Sequence, residues 1–199
     1  FKNTWIIFTA DHGEMLGAHH MSQKNLFFEG SAHVPLLIMP PQGRSLPQNI
    51  SVEAPTDLVD LYPTILAMAG LSSPVSVSGR NLLEPVPMDR IFFGNSLNRN
   101  FCVMEEKLKL VYSAVGDHVL LFDLNTDPME QHNLAEDPAW QERKAKLWKL
   151  LLEHTAQYTP EALDENGQFL TYEAPHFPGD VPGRWFGFHY HDYSVDTFH

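Results

Sequence analysis

The feature that most constrains this chain is a short run of aromatic and β-branched residues, Trp5-Ile6-Ile7-Phe8-Thr9, which gives way at once to Asp11-His12-Gly13. A continuous apolar run of this length reads as a strand covered on both faces, as in a parallel sheet. Polar residues at the carboxyl end of such a strand occupy the place where open α/β sheets hold ligands. A loop rich in Gly and His follows, from Gly13 to Lys24, and Val34-Pro35-Leu36-Leu37-Ile38-Met39 reads as a second buried strand. Pro35 has no amide hydrogen to donate, so it belongs at that strand's start or on an edge. No stretch approaches the ~18 apolar residues of a membrane-spanning helix.

The pattern then changes period. Thr56 to Gly70 reads as a helix, with Thr56, Asp57 and Asp60 as possible N-caps, Pro63 in the first turn and Gly70 as the stop. Residues 72–87 are rich in Ser, Pro and Gly and form a candidate boundary loop. From Arg90 four strand candidates follow: Arg90–Phe93, Phe101–Met104, Leu108–Tyr112 and Val119–Phe122. Gly and Asn or Asp residues separate them. Asp137-Pro138 opens a long helix whose Trp140, Leu147, Trp148, Leu151 and Tyr158 share one face, expected to pack on the hairpin sheet. Strands segregated from one helix define a small α+β subdomain. After Tyr158 the chain is aromatic and broken by Pro and Gly, and is expected to lie as an extended tail across its own body or a neighbouring subunit. The expected organisation is therefore an α/β portion over 1–88, an α+β subdomain over 89–158 and an aromatic tail over 159–199.

Charge and cysteine content exclude whole classes. Thirteen Lys and Arg against 25 Asp and Glu leave a net charge of −12, without the basic footprint of a nucleic-acid binder. The one cysteine, Cys102, rules out an internal disulfide and every multi-Cys zinc motif. Natural domains rarely begin as this one does, Phe1-Lys2-Asn3-Thr4 leading directly into a buried strand without a leader. The expectation is a fragment or one chain of a cleaved protein.

The densest chemistry lies between Asp11 and Lys24. Asp11 and His12, side by side at a strand end, can both reach one cation if the backbone turns at Gly13. Carboxylate oxygen suits Ca²⁺, Mg²⁺ or Mn²⁺, and added imidazoles move the preference towards Zn²⁺. Equally, Asp11 can cap the next turn with His12 packed beside it. Lys24 is a compact cation suited to one oxygen of a sulfate or phosphate, or else a solvated surface lysine. His19 and His20 can be acids or bases facing a substrate, or loop residues. Glu29 and His33 precede a buried strand, where capping is the default role.

Order and spacing together say more. Ala10-Asp11-His12-Gly13-Glu14-Met15-Leu16-Gly17, His19, Lys24, Phe28-Glu29-Gly30 and Val34-Pro35-Leu36 follow one another as in the sulfatase family of the alkaline phosphatase superfamily, which this chain closely resembles. Val59-Asp60-Leu61-Tyr62-Pro63-Thr64 is similar to that family's Asp-hydrophobic-x-Pro-Thr helix. Leu121-Phe122-Asp123-Leu124, continuing through Asp127-Pro128-Met129-Glu130 to Asn133-Leu134, is similar to its Leu-Tyr-Asp-Leu hairpin. The three blocks cover Thr4 to about Tyr158.

The resemblance implies the C-terminal part of a mixed α/β sheet sandwiched by helices, followed by a small antiparallel sheet with one long helix. It implies that Asp11 and His12 face an active-site Ca²⁺ (Mg²⁺ or Mn²⁺ as alternatives), that Lys24 contacts the substrate's sulfate, and that His19 lies near the pocket. Ala18 and His20 depart from the residues common there, so the local substrate contacts stay open. The family's formylglycine arises from a Cys/Ser-x-Pro/Ala-x-Arg motif. Cys102-Val103-Met104-Glu105-Glu106 does not fit it, so the nucleophile and the first metal-binding aspartates are expected upstream. The implied partners are a sulfate-ester small molecule or sulfated sugar and the missing N-terminal part of the same protein, with a second copy through the aromatic tail as a further expectation. The implied location is periplasmic, secreted or lysosomal. A phosphodiesterase or phosphonate monoester hydrolase of the same superfamily is the alternative enzyme, and a non-catalytic interaction module the alternative from another class.

Overall fold

A computed structural model describes residues 2–21, 24, 27–44 and 51–173. The chain divides into two compact units, the first formed by Phe1–Asp11 and Val34–Arg90, the second by His12–His33 and the chain from Ile91 on. Among the described residues no helix is long and apolar enough to cross a membrane.

In the first unit, β1 (Ile6–Thr9) and β2 (Leu36–Met39) form the expected strands, and Pro35 precedes β2. The parallel reading does not hold for this pair. The strands run antiparallel, with Ile6 opposite Met39 and Thr9 opposite Leu36. Phe8 and its cross-strand partner Leu37 are each 60% exposed, and Met39 beside them is exposed as well. The buried reading does not hold either, since every residue of β1 and β2 is half-buried or exposed: a continuous apolar run specifies a strand, but neither how fully it is covered nor the direction of its neighbour.

The helical prediction holds. A turn of 3₁₀ helix at Leu58–Asp60 leads into α2 (Leu61–Met68), which is preceded in the chain by the single turn α1 (Glu29–Ala32). Asp57 is the N-cap and forms a reciprocal capping box with Asp60. Gly70, with φ of 73°, takes the left-handed conformation that ends a helix. Asp60 is fully buried and pairs with Arg90 through two bonds of 2.5 and 3.0 Å. It also accepts the amides of Asp57 at 2.8 Å and Arg80 at 2.7 Å. The Thr64 hydroxyl accepts the Leu82 amide at 2.9 Å, so the irregular boundary loop is tied down at Arg80, Leu82 and Arg90. Burial alone would raise the Asp60 pKa. The Arg90 guanidinium and the two amides outweigh it and hold the carboxyl below its ordinary value.

The second unit is built on a meander of four antiparallel strands, β3 (Phe92–Ser96), β4 (Asn100–Glu105), β5 (Leu108–Ser113) and β6 (His118–Asp123), in sequential order. The last three match the predicted strands to within a residue; β3 begins two residues later than the predicted Arg90–Phe93 and runs on through Gly94 and Asn95, which the sequence presents as turn residues, because both pair with β4. Asp137 caps the helical entry, its side chain accepting the Ala139 amide at 2.9 Å, and α3 (Gln141–Tyr158) follows. The two-residue period of the strands divides their side chains between two cores. Phe101, Val103, Leu110, Tyr112 and Leu121 meet Leu147 and Leu151 of α3. Cys102, Val111, Leu120 and Phe122, on the other face, meet Met15, Met21 and Phe28. Met15, Met21 and Phe28, which the sequence groups with the α/β portion, therefore cover the second face of this sheet.

Two further details differ from expectation. Tyr158, assigned to the buried face of α3, is 58% exposed at the helix's last position, beside the His154 ring. Thr155 is buried on that last turn instead. The beginning of the aromatic segment packs on its own unit. Phe169 inserts between Phe101, Tyr112 and Trp148 with ring centroids 4.5, 4.7 and 5.4 Å away. Tyr172 then bonds Ala114 and Gly116 along the backbone. The remainder of that segment, residues 174–199, and the second-copy contact expected of it lie outside the described residues.

Candidate functional site

The Asp-His-Gly turn is held by backbone. The Gly13 amide donates to Ser31 O at 2.7 Å and the Glu14 amide to Gly30 O at 2.9 Å. A Cβ on Gly13 would stand 2.1 Å from Gly30 O, so only glycine allows this approach. His12 is half-buried, and its Nδ1 lies 2.8 Å from Gly13 O. A carbonyl only accepts, so Nδ1 donates, and the neutral ring carries its lone pair on Nε2, the nitrogen suited to a metal or a substrate proton. Asp11 is exposed at the end of the run that begins in β1.

Beyond Glu14 the chain reverses tightly. Leu16, Gly17 and His19 have φ of 49°, 95° and 52°, and the Gly17 amide donates to Met21 O at 2.8 Å. The left-handed backbone at His19 is stabilised by its ring, which stacks on buried Phe28 with centroids 4.2 Å apart and 19° between planes. Phe28 in turn packs on Phe122 of β6. His19 is thus a fixed group on the reversal. Lys24 is exposed, and its immediate neighbours in sequence lie outside the described residues.

Of the four predicted site residues, Asp11 and His12 meet on one turn because they are consecutive. His19 and Lys24 follow on the loop it opens into. Among the described residues no three His, Cys, Asp or Glu side chains converge to hold a metal ion. One carboxylate and one imidazole nitrogen supply part of a cation's shell, whereas Ca²⁺ takes roughly six to eight oxygens. The donor chemistry fits a divalent cation whose remaining ligands come from elsewhere.

Sequence reasoning missed a buried ion cluster behind this turn. Lys109 of β5 is 3% exposed, with Nζ 2.5 Å from Glu29 Oε1, 2.7 Å from Glu130 Oε1 and 2.7 Å from Phe27 O. Glu130 Oε2 accepts the Glu29 amide at 2.7 Å. Burial opposes the Lys109 charge, but Cys102, Glu130 and Glu29 outweigh it and leave the ammonium more firmly protonated than usual. Burial, only partly offset by Lys109, pushes the Glu130 carboxyl up. A lysine inside the otherwise apolar run Leu108–Tyr112 was the signal that could have revealed it.

Comparison with known proteins agrees with this architecture. The sequence profile of the sulfatase family matches residues 1–71. The chain is 32% identical over 165 residues to the uncharacterized sulfatase YidJ of Escherichia coli K12, covering 77% of this chain and 32% of that protein. It is 36% identical over 174 residues to the choline-sulfatase of Rhizobium meliloti, covering 81% of this chain and 33% of the relative. Among solved structures, the phosphonate monoester hydrolase of Agrobacterium radiobacter superimposes with a TM-score of 0.61 at 31% identity, over 82% of this chain and 38% of that one. The chain belongs to the sulfatase family of the alkaline phosphatase superfamily, with the mixed α/β fold that the family implies. It spans about a third of the length of the curated relatives it matches.

Proposed function

We propose that this chain is the C-terminal portion of a sulfatase that hydrolyses a sulfate ester to an alcohol and inorganic sulfate. The observation that carries the reading is the clamped Asp11-His12-Gly13 turn, which occurs in the family's order and leads into the loop bearing His19 and Lys24. The chain holds no Cys/Ser-x-Pro/Ala-x-Arg motif and spans a third of its relatives, which supports a nucleophile carried on another part of the protein. A formylglycine there would supply the attacking oxygen, and a Ca²⁺ (or Mg²⁺ or Mn²⁺) would polarise the sulfate as a Lewis acid.

The residues of this chain take the supporting roles. Asp11 and His12 would hold the cation, His12 through Nε2 with Nδ1 bonded to Gly13 O. Lys24 offsets the negative charge that builds on sulfate oxygens as the ester bond breaks. His19, fixed on Phe28, lies on the loop near the pocket, where an imidazole can bind or exchange a proton with substrate. The substrate is a small sulfate ester or sulfated sugar, and a periplasmic, secreted or lysosomal site of action follows the family pattern.

The similarity to a phosphonate monoester hydrolase favours a second reading, cleavage of a phosphonate or phosphate ester on the same scaffold, since both substrates are tetrahedral oxyanions. Purified full-length protein, assayed against aryl sulfate, choline sulfate and phenyl phosphonate, separates the two. Sulfate esters are expected to give the higher kcat/KM, and Lys24→Ala to lower it by about a hundredfold without unfolding the protein. Preference for the phosphonate would select the second reading, and full activity of Lys24→Ala would remove the sulfate-contact role.

A further inference from the structure

The clamped turn does not hold itself in place. The carbonyls that receive the Gly13 and Glu14 amides belong to Ser31 and Gly30, both within α1. A helix of a single turn has almost no stability of its own. Phe28 anchors the start of α1 in the core, and charge fixes the helical turn itself. Its first residue, Glu29, is bound twice, by side chain to Lys109 and by backbone amide to Glu130. Lys109 also binds Phe27 O, immediately before the turn of helix. Lys109 itself is on β5, a strand buried along its whole length, and so is set by the sheet.

We infer that the Lys109–Glu29–Glu130 cluster is the positioning device of the Asp-His-Gly turn. It transmits the rigid placement of β5 through α1 to the Gly13 backbone, and from Gly13 O to His12 Nδ1. Each link is a short contact: 2.5 Å from Lys109 to Glu29, 2.7 Å from Gly13 N to Ser31 O, and 2.8 Å from His12 to Gly13 O. The chemistry suits that task. Glu29 Oε1 and Phe27 O accept ammonium protons, and the Glu130 carboxylate stands 2.7 Å away as a second counterion, so the lysine head group is held from three directions. A buried ion pair of this kind contributes little net stability compared with apolar side chains, but its geometry is specific. A hydrophobic replacement would fill the volume without fixing where α1 sits. Lys109, Glu29 and Glu130 therefore act through His12 and touch no substrate. Glu29 also faces His33, whose Nδ1 lies 2.8 Å from its second oxygen at the exposed rim of the cluster.

This inference uses the proposed function only for its consequence on turnover. Its geometric part stands independently, so the test has two readouts. In the full-length protein, Glu29→Gln keeps side-chain size and removes the charge that Lys109 grips. Amide hydrogen exchange at Gly13 and Glu14 is expected to accelerate about tenfold or more, with exchange at Val103 and Val111 in β4 and β5 unchanged. With an aryl sulfate, kcat is expected to fall by a similar factor while KM changes less than about twofold. Gly13→Ala breaks the same chain of contacts from its other end, through the clash with Gly30 O, without touching the cluster. It is expected to give the same pattern, and the double variant to be no worse than the worse single one. Gly13→Ala also serves if Glu29→Gln does not fold. Unchanged exchange at Gly13 and Glu14, or equal acceleration across the whole sheet, would overturn the positioning role. Absence of sulfate-ester hydrolysis in the wild type, with the local exchange effect intact, would overturn the functional assignment alone.

Discussion

Replacing Asp60 by asparagine isolates the contribution of one buried charge to the first unit. Asp60 is fully buried, Arg90 is nearly so, and the two are joined by bonds of 2.5 and 3.0 Å. Asparagine preserves the volume but turns one acceptor into a donor that faces the guanidinium. The Arg90 charge is left without its counterion, and one of the amides of Asp57 and Arg80 loses its acceptor. Breaking a buried pair from one side costs about 3–5 kcal/mol. With a urea m-value of about 3 kcal/mol/M, that corresponds to a midpoint lowered by about 1–2 M at neutral pH. The pH dependence supplies an internal check. The folded pKa of Asp60 lies below its ordinary 3.8, so its contribution is complete above that value and is lost as pH falls through the folded pKa. The gap between wild type and Asp60→Asn should therefore be constant at higher pH and narrow below about 3.8. Urea titrations of the full-length protein from acid to neutral pH, followed by intrinsic fluorescence, measure both effects. A loss under about 1 kcal/mol, or a gap that does not narrow in acid, would refute the reasoning.

Other expectations follow from the same geometry. Asp11→Asn should lower the calcium retained by the full-length protein after dialysis, because a neutral amide is a weaker ligand for a hard cation; unchanged content by elemental analysis would count against the ligand role. His154 stacks on Phe93 with centroids 3.9 Å apart, and burial lowers its pKa below 6.5. The neutral ring is therefore favoured in the fold, stability is full above pH 6.5 and declines as pH drops below it, and His154→Gln should flatten that decline in thermal melts. Burial pushes the Cys102 thiol up to about 12, so iodoacetamide at pH 8 should leave it unmodified in native protein and alkylate it in urea. Native labelling at the rate of a free thiol would contradict the packing of Cys102 in the sheet.

The sequence by itself determined what depends on neighbours within a few positions. Three of the four strands, the Asp137 cap and the Gly70 stop all rest on local geometry that residue type dictates, whereas the choice of Asp57 among three candidate caps and the run of β3 through Gly94 and Asn95 did not follow from it. The Asp-His-Gly motif was legible for the same reason, as was its family resemblance. Tertiary structure alone decided the rest. The antiparallel pairing of β1 with β2 could not be read from a run whose apolarity is equal in either direction. The second face of the β3–β6 sheet joins Met15, Met21 and Phe28 to Leu120 and Phe122, far along the chain. Lys109 lies 80 residues from Glu29, and taken alone Glu29 reads as a cap and Lys109 as an ordinary charged residue. Burial turns them into a specific pair, because a charge withdrawn from water must find its counterion wherever folding places one.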